Sequence, residues 1–165
     1  MDRFEAEALT HLLVVADAAV SRDWYVDVLG ASVFGEYGGT SVVLDLMGNW
    51  LLLVTGGEPT PDKPTVTLAV PDDPDRVSAE IIFRVGDCQR VFEFLSTRGA
   101  EFLTTPLDRG GEIRAFFRDL DGLFSRSPSG PTPRAALAPR VMPAADPRRA
   151  GANPRKLHSH RFGDG

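Results

Sequence analysis

The chain has 165 residues, enough for one domain with a hydrophobic core, and 42% of them are apolar, which excludes a wholly disordered polymer. It has no apolar run near the ~20 residues of a transmembrane helix, so we expect no membrane span. The single Cys88 excludes an internal disulfide and suits a reducing compartment. Since no signal-peptide pattern precedes the first apolar run, the sequence predicts a cytoplasmic protein.

Charge is unevenly distributed along the chain, whose net charge is −5. Residues 123–165 contain 8 Lys and Arg but 2 Asp and Glu, a net charge of +6, which leaves −11 on residues 1–122. The acidic part argues against nucleic acid as a ligand and favours a cationic small molecule. The basic part is more typical of a solvated tail than of a nucleic-acid or membrane site.

The first predicted elements are a buried strand over residues 9–16 and a helix with Asp17 at its N-cap and Gly30 at its left-handed C-cap. Apolar residues four apart predict the buried face of this helix: Val20, Trp24 and Val28.

Further strands are predicted to begin at Val33 and to cover residues 41–46 and 50–54, with a hairpin turn at Met47-Gly48-Asn49. The proline-rich stretch 56–75 then indicates a linker around one short extended piece, Thr65–Val70.

The pattern restarts with a strand over Ala79–Val85 and a helix capped by Asp87. An apolar helical face follows, formed by Val91, Phe92 and Leu95. Residues 98–100 (Arg-Gly-Ala) match residues 29–31 (Leu-Gly-Ala), an offset of 69 that also aligns His11 with Glu80. Gly110-Gly111 predicts a turn before the closing strands, so the body is interpreted as a tandem repeat.

The predicted fold class is α+β, with tandem βαβββ repeats that pair into a curved mixed sheet and helices outside it. The domain is expected over residues 1–124, with repeats at about 8–57 and 78–124 and a linker at 58–77. Residues 125–165 are rich in Pro, Arg and Ala without hydrophobic periodicity, which predicts a disordered tail. The composition changes abruptly inside the last strand, so we hypothesise that a frameshift produced the tail; an intact frame on resequencing around codon 122 would refute this.

Four segments together resemble the vicinal-oxygen-chelate superfamily of glyoxalase I, extradiol dioxygenases, and fosfomycin- and bleomycin-resistance proteins. The segments are residues 9–17, 24–30, 83–87 and 117–122. The resemblance covers about residues 8–124 and implies a homodimer that acts on, or binds, a small molecule. Metal-dependent members take one ligand from the first strand of each repeat and a Glu from the last strand.

By this resemblance the metal ligands are expected to be His11 and Glu80, holding Fe, Mn, Ni or Zn. A histidine packed in its strand, or a Glu80 paired with a nearby arginine or facing solvent, remains the structural alternative. The family ends its last strand with a carboxylate, but here Ser125 aligns with that position and Arg126, which would repel a cation, follows.

The implied ancestral function is therefore a metal-dependent lyase, isomerase or dioxygenase acting on a small oxygenated metabolite, impaired by loss of the last ligand. The alternative is a metal-free binding protein of the bleomycin-resistance kind, so the sequence leaves enzyme activity open. Glu58 is weighed as a substitute ligand, although its loop favours exposure. Trp24 and Tyr25 are interpreted as packing residues, and Cys88 as an inert thiol. The tail pair His158 and His160 could bind stray metal.

Overall fold

A computed structural model describes residues 5, 6 and 8–130, and its first part is a four-stranded sheet packed on one helix. The elements in chain order are β1 (Thr10–Val15), α1 (Ala18–Leu29), β2 (Ser32–Tyr37), β3 (Ser41–Leu46) and β4 (Asn49–Thr55). The strand order is β1-β4-β3-β2, with β1 parallel to β4 and the other pairs antiparallel.

The second part repeats this arrangement with shorter strands. Its elements are β5 (Ile81–Ile82), α2 (Cys88–Ser96), β6 (Glu101–Phe102), β7 (Leu107–Asp108), β8 (Ile113–Arg114), β9 (Phe116–Arg118) and β10 (Phe124–Arg126). The order β5-β10-β9-β6 reproduces that of the first sheet, and β7 and β8 form a separate hairpin. The α+β prediction of two βαβββ repeats is confirmed.

Both predicted helix starts are confirmed by their caps. The carboxylate of Asp17 accepts hydrogen bonds from the backbone N–H groups of Ala19 and Val20, and that of Asp87 accepts one from Arg90. Gly30 ends α1 with φ of 72°, a left-handed conformation that glycine adopts without a side-chain clash.

The buried face of α1 differs from the predicted one. Val20 is 55% exposed, whereas Tyr25 is 2% exposed and points into the core. The buried residues of the helix are Ala18, Ser21, Tyr25 and Val28. The prediction was wrong at Val20 because a strict spacing of four drifts around a helix of 3.6 residues per turn.

Two predicted strands are shorter in the structure. Ala79–Val85 forms a strand only at Ile81–Ile82, although the N–H groups of Phe83 and Val85 continue the contact by donating to the carbonyls of Arg126 and Pro128. The predicted extended piece Thr65–Val70 contains one isolated bridge, in which Leu68 pairs with Gly57. The prolines around this piece remove backbone donors and prevent a longer ladder.

The closing strand crosses the predicted domain boundary at residue 124. Beyond β10, the N–H of Ser127 donates to the carbonyl of Ala115, and Ser129 exchanges two backbone hydrogen bonds with Ile113. The side chains of Ser125, Ser127 and Ser129 are buried on the core face. The predicted tail lies outside the described residues from 131 onward.

The loop Asp119–Gly122 ties the second repeat to the first. Asp119 accepts hydrogen bonds from the hydroxyl of Tyr25 at 2.7 Å and from the N–H groups of Asp121 and Leu123. Asp121 accepts from the hydroxyl of Ser21 at 2.9 Å and from a backbone N–H of the first repeat at 2.7 Å. Burial raises the pKa of Asp119 above its usual range, and burial together with the charge of Asp119 raises the pKa of Tyr25.

Cys88 should resist thiol reagents in the folded protein. Its side chain is 1% exposed, and burial raises the pKa of its thiol, so little reactive thiolate forms. With an aromatic disulfide reagent we expect slow labelling of the native chain and rapid release of one equivalent after unfolding in denaturant. Equal labelling rates in the two states would contradict this burial.

Candidate functional site

His11 and Glu80 line one cavity of about 220 Å³, and Leu51 and Phe83 are also part of its wall. His11 is near the start of β1, and Glu80 immediately precedes β5, so the first strands of the two repeats border this space. The structure therefore brings together the two residues that were predicted as metal ligands.

His11 borders this cavity from the core face of the first sheet. It lies opposite Leu51 in the β1–β4 register, and Leu13 lies opposite Leu53. Because side chains alternate along a strand, His11 shares a face with Leu13 and with Val15, which is 1% exposed. Its imidazole is exposed because it lies at the end of the strand.

Arg126, rather than Ser125, lies beside Glu80. Ser125 is 4% exposed and lies opposite Phe117, which is completely buried, so its hydroxyl faces the core. The guanidinium of Arg126 lies on the other face of β10, where its Nη2 forms an ion pair with a Glu80 carboxylate oxygen at 3.1 Å. The strand position next to Glu80 is thus occupied by a cation instead of a third ligand.

One face of the second sheet is rich in arginine. Arg126 lies opposite Phe116 in the β9–β10 register, with its guanidinium carbon 5.9 Å from the ring centroid. Alternation places Arg114 and Arg118 on the same face as Phe116, since Ala115 and Phe117 between them are completely buried. We call this surface, defined by Arg114, Phe116, Arg118 and Arg126, the arginine face.

Two arginines of this face have incompletely satisfied guanidinium groups. The Nε atoms of Arg118 and Arg126 are buried and find no acceptor among the described residues. Each residue does bind one acid through Nη2: Arg118 pairs with Asp75, and Arg126 pairs with Glu80.

A second cavity, of about 240 Å³, lies along the arginine face. Its described lining consists of Thr104, Leu107, Arg109, Arg114 and Phe116. The β7–β8 hairpin supplies most of this wall, since Leu107 lies opposite Arg114 in its register. The sequence analysis missed this site, although Arg114, Phe116 and Arg118 recur at a spacing of two, which places them on one face of a strand.

The residues at the first cavity do not fit a divalent metal centre. A catalytic site for such an ion commonly has three protein ligands. His11 offers one nitrogen and Glu80 one carboxylate, which is already ion-paired with Arg126. Across residues 5, 6 and 8–130, no group of three or more His, Cys, Asp and Glu side chains is placed to hold a metal ion.

The remaining candidates lie elsewhere. Trp24 and Tyr25 belong to the core, with ring centroids 5.1 Å apart. Glu58 is exposed in a loop, where its carbonyl accepts from Lys63. His158 and His160 lie outside the described residues. Neither α1 nor α2 has the length and hydrophobicity to span a bilayer, and the described part of the chain contains no other helix that does.

The chain belongs to the Glyoxalase/Bleomycin resistance protein/Dioxygenase superfamily, because the model of that family matches residues 8–124. This finding confirms the resemblance. The comparison with curated protein sequences finds no match.

Solved structures share the fold at low sequence identity. A glyoxalase/bleomycin resistance protein/dioxygenase from Nocardioides has a TM-score of 0.63 and 18% identity, covering 86% of this chain and 93% of its own. TioX from Micromonospora sp. ML1 has a TM-score of 0.57 and 22% identity, covering 76% and 100%. A mutant of the fosfomycin resistance protein FosX from Listeria monocytogenes, complexed with Mn(II) and 1S,2S-dihydroxypropylphosphonic acid, has a TM-score of 0.55 and 17% identity, covering 77% and 93%.

Proposed function

We propose that this protein binds a small molecule on the second sheet without a metal ion. The observation that carries the proposal is the Arg126–Glu80 ion pair at 3.1 Å. A guanidinium next to the carboxylate repels a divalent cation and competes with it for the carboxylate oxygens. The same guanidinium is a good donor to a ligand that carries oxygen atoms.

The comparisons support the fold on which this proposal relies, but they do not identify the ligand. FosX was solved with Mn(II), so the fold can accommodate a metal centre. In this chain, Arg126 of the closing strand takes the position beside Glu80. This arginine favours sequestration of a ligand as the function. We propose a cytoplasmic location for the protein, and a homodimer on the basis of the family resemblance.

A second candidate function is a metal-dependent lyase, isomerase or dioxygenase. It is favoured by the shared cavity of His11 and Glu80, which would be the ligands of Fe, Mn, Ni or Zn. Two protein ligands would hold such an ion weakly, and Arg126 would first have to release Glu80.

Metal titration of the full chain distinguishes the two functions. We would strip the protein of metal, replace His158 and His160 with Ala to remove the two tail imidazoles, and titrate with Mn(II), Fe(II), Ni(II) and Zn(II) by calorimetry. Metal-independent binding predicts no saturable site. Binding of one ion per chain that disappears in His11→Ala would refute the proposal and favour the metal-dependent enzyme.

A further inference from the structure

We propose that the 240 Å³ cavity on the arginine face binds an oxyanion, such as a carboxylate, phosphate or phosphonate, carried on a small apolar body. This inference rests on the proposed function and specifies its ligand class. It differs from the cationic ligand that the net charge of −11 on residues 1–122 had favoured.

The local charge of the cavity is the first argument. Of its described lining residues, two are arginines and none is acidic. Arg114 is bound to Glu112 through Nε at 2.5 Å, which leaves its two terminal nitrogens as donors. Arg109 forms no ion pair with a described acid. A planar guanidinium can donate two parallel hydrogen bonds to one carboxylate or phosphate, which a point charge cannot do.

Arg126 is the second argument. Its side chain lies next to Phe116, which lines the cavity, and only 18% of it is exposed. Its buried Nε has no acceptor among the described residues. A buried donor without an acceptor costs free energy, so a shift of the Arg126 side chain that brought this Nε to an acceptor atom of a ligand at this face would recover part of that cost.

The apolar part of the ligand follows from the rest of the wall. Leu107, which is 50% exposed, and Phe116 provide a hydrophobic surface beside the guanidinium groups. The volume of 240 Å³ is below the ~300–1,000 Å³ typical of drug-sized sites. A single ring or a short branched chain bearing one anionic group suits this space.

Matched probes test the charge preference directly. We would measure binding of phenylphosphonate, phenylacetate, neutral phenylacetamide and cationic phenethylamine to the metal-free full chain by calorimetry. The acids should bind at least about tenfold more tightly than the amide, since each charge-assisted hydrogen bond contributes roughly tenfold to hundredfold in affinity. The two acids together identify which oxyanion the site prefers.

Arginine variants test the location of the site. Arg114→Gln should weaken binding of the preferred acid about tenfold to hundredfold. Arg109→Gln, at an exposed residue without an ion pair to a described acid, should weaken it as well. The control is Arg90→Gln, which removes the same charge from the exposed surface of α2 and should leave affinity unchanged.

Three results would overturn the inference: equal affinity for acid and amide, unchanged affinity in both Arg109→Gln and Arg114→Gln, or no binding of any acid with or without Mn(II). Preference for phenethylamine would instead favour a cationic ligand. If no acid binds the metal-free chain but the acids bind after Mn(II) is added, the proposed metal-independent function fails while the anion preference survives, so the two failures are distinguishable.

Discussion

Replacing Asp119 with Ala should lower the free energy of unfolding by about 3 kcal/mol or more. The carboxylate accepts from the hydroxyl of Tyr25 and from the N–H groups of Asp121 and Leu123, and its removal leaves all three donors without this acceptor. A buried donor without an acceptor costs about 1–3 kcal/mol. Urea denaturation followed by circular dichroism would measure the change.

The control for this experiment is Asp27→Ala, which removes an exposed carboxylate from α1 and should change stability by less than about 0.5 kcal/mol. In a Tyr25→Phe background, Asp119→Ala should lower the free energy of unfolding by less, because one of the three donors is absent and no longer needs an acceptor. A loss below about 1 kcal/mol in Asp119→Ala would show that water replaces the carboxylate.

The pH dependence of stability provides a second test of the Asp119 carboxyl group. Burial raises the pKa of Asp119 above its ordinary value of 3.8, so the folded chain binds the proton more tightly than the unfolded chain. The resulting stabilisation is complete below the ordinary pKa and is lost as the pH rises through the folded pKa. Relative to Asp119→Asn, the wild type should therefore lose stability as the pH is raised from about 4. A constant difference between the two would contradict the raised pKa.

Replacing Arg126 with Glu should create a site for one divalent cation per chain. The substitution removes a positive charge and puts a second carboxylate next to Glu80, so the local charge falls by two units. Each unit charge at about 4 Å contributes at least about 1 kcal/mol even in a water-like dielectric. Affinity for Mn(II) should rise at least about tenfold, measured by calorimetry in the background without His158 and His160.

Arg126→Gln is the matched control, since it removes the cation without adding a ligand. We expect it to release Glu80 but to bind Mn(II) more weakly than Arg126→Glu. Equal binding by both variants would mean that the added carboxylate does not reach the ion. Equal binding by the wild type would mean that Arg126 does not exclude the metal.

Local chemistry explains which parts of the fold were predictable. Asp17 and Asp87 satisfy the first N–H groups of their helices, and Gly30 adopts a left-handed conformation, so each acts through its immediate neighbours. The hairpin at Met47-Gly48 also depends on local conformation, with φ of 54° and 75°. The tandem organisation followed because these signals recur.

The site was less predictable because the face of a strand residue depends on register. Aligning the closing strand by motif placed Ser125 at the ligand position, but Ser125 faces the core and Arg126 faces Glu80. A shift of one residue exchanges the two faces of a strand. His11 illustrates the same limit, since only its pairing with Leu51 reveals that it shares the core face. No sequence spacing specifies such pairing.

The contacts of the loop Asp119–Gly122 affect the order in which the chain folds during its synthesis. Its bonds to Tyr25, Ser21 and Ala16 connect residues that are 94, 100 and 105 positions apart. The ribosome releases the first repeat before these acceptors are synthesised, so the hydroxyls of Ser21 and Tyr25 lack their native partners until then. Contacts this distant form slowly, because a long loop must close before they contribute. The two repeats have the same order of elements, but the hydrogen bonds that join them therefore form only after residue 121 has been synthesised.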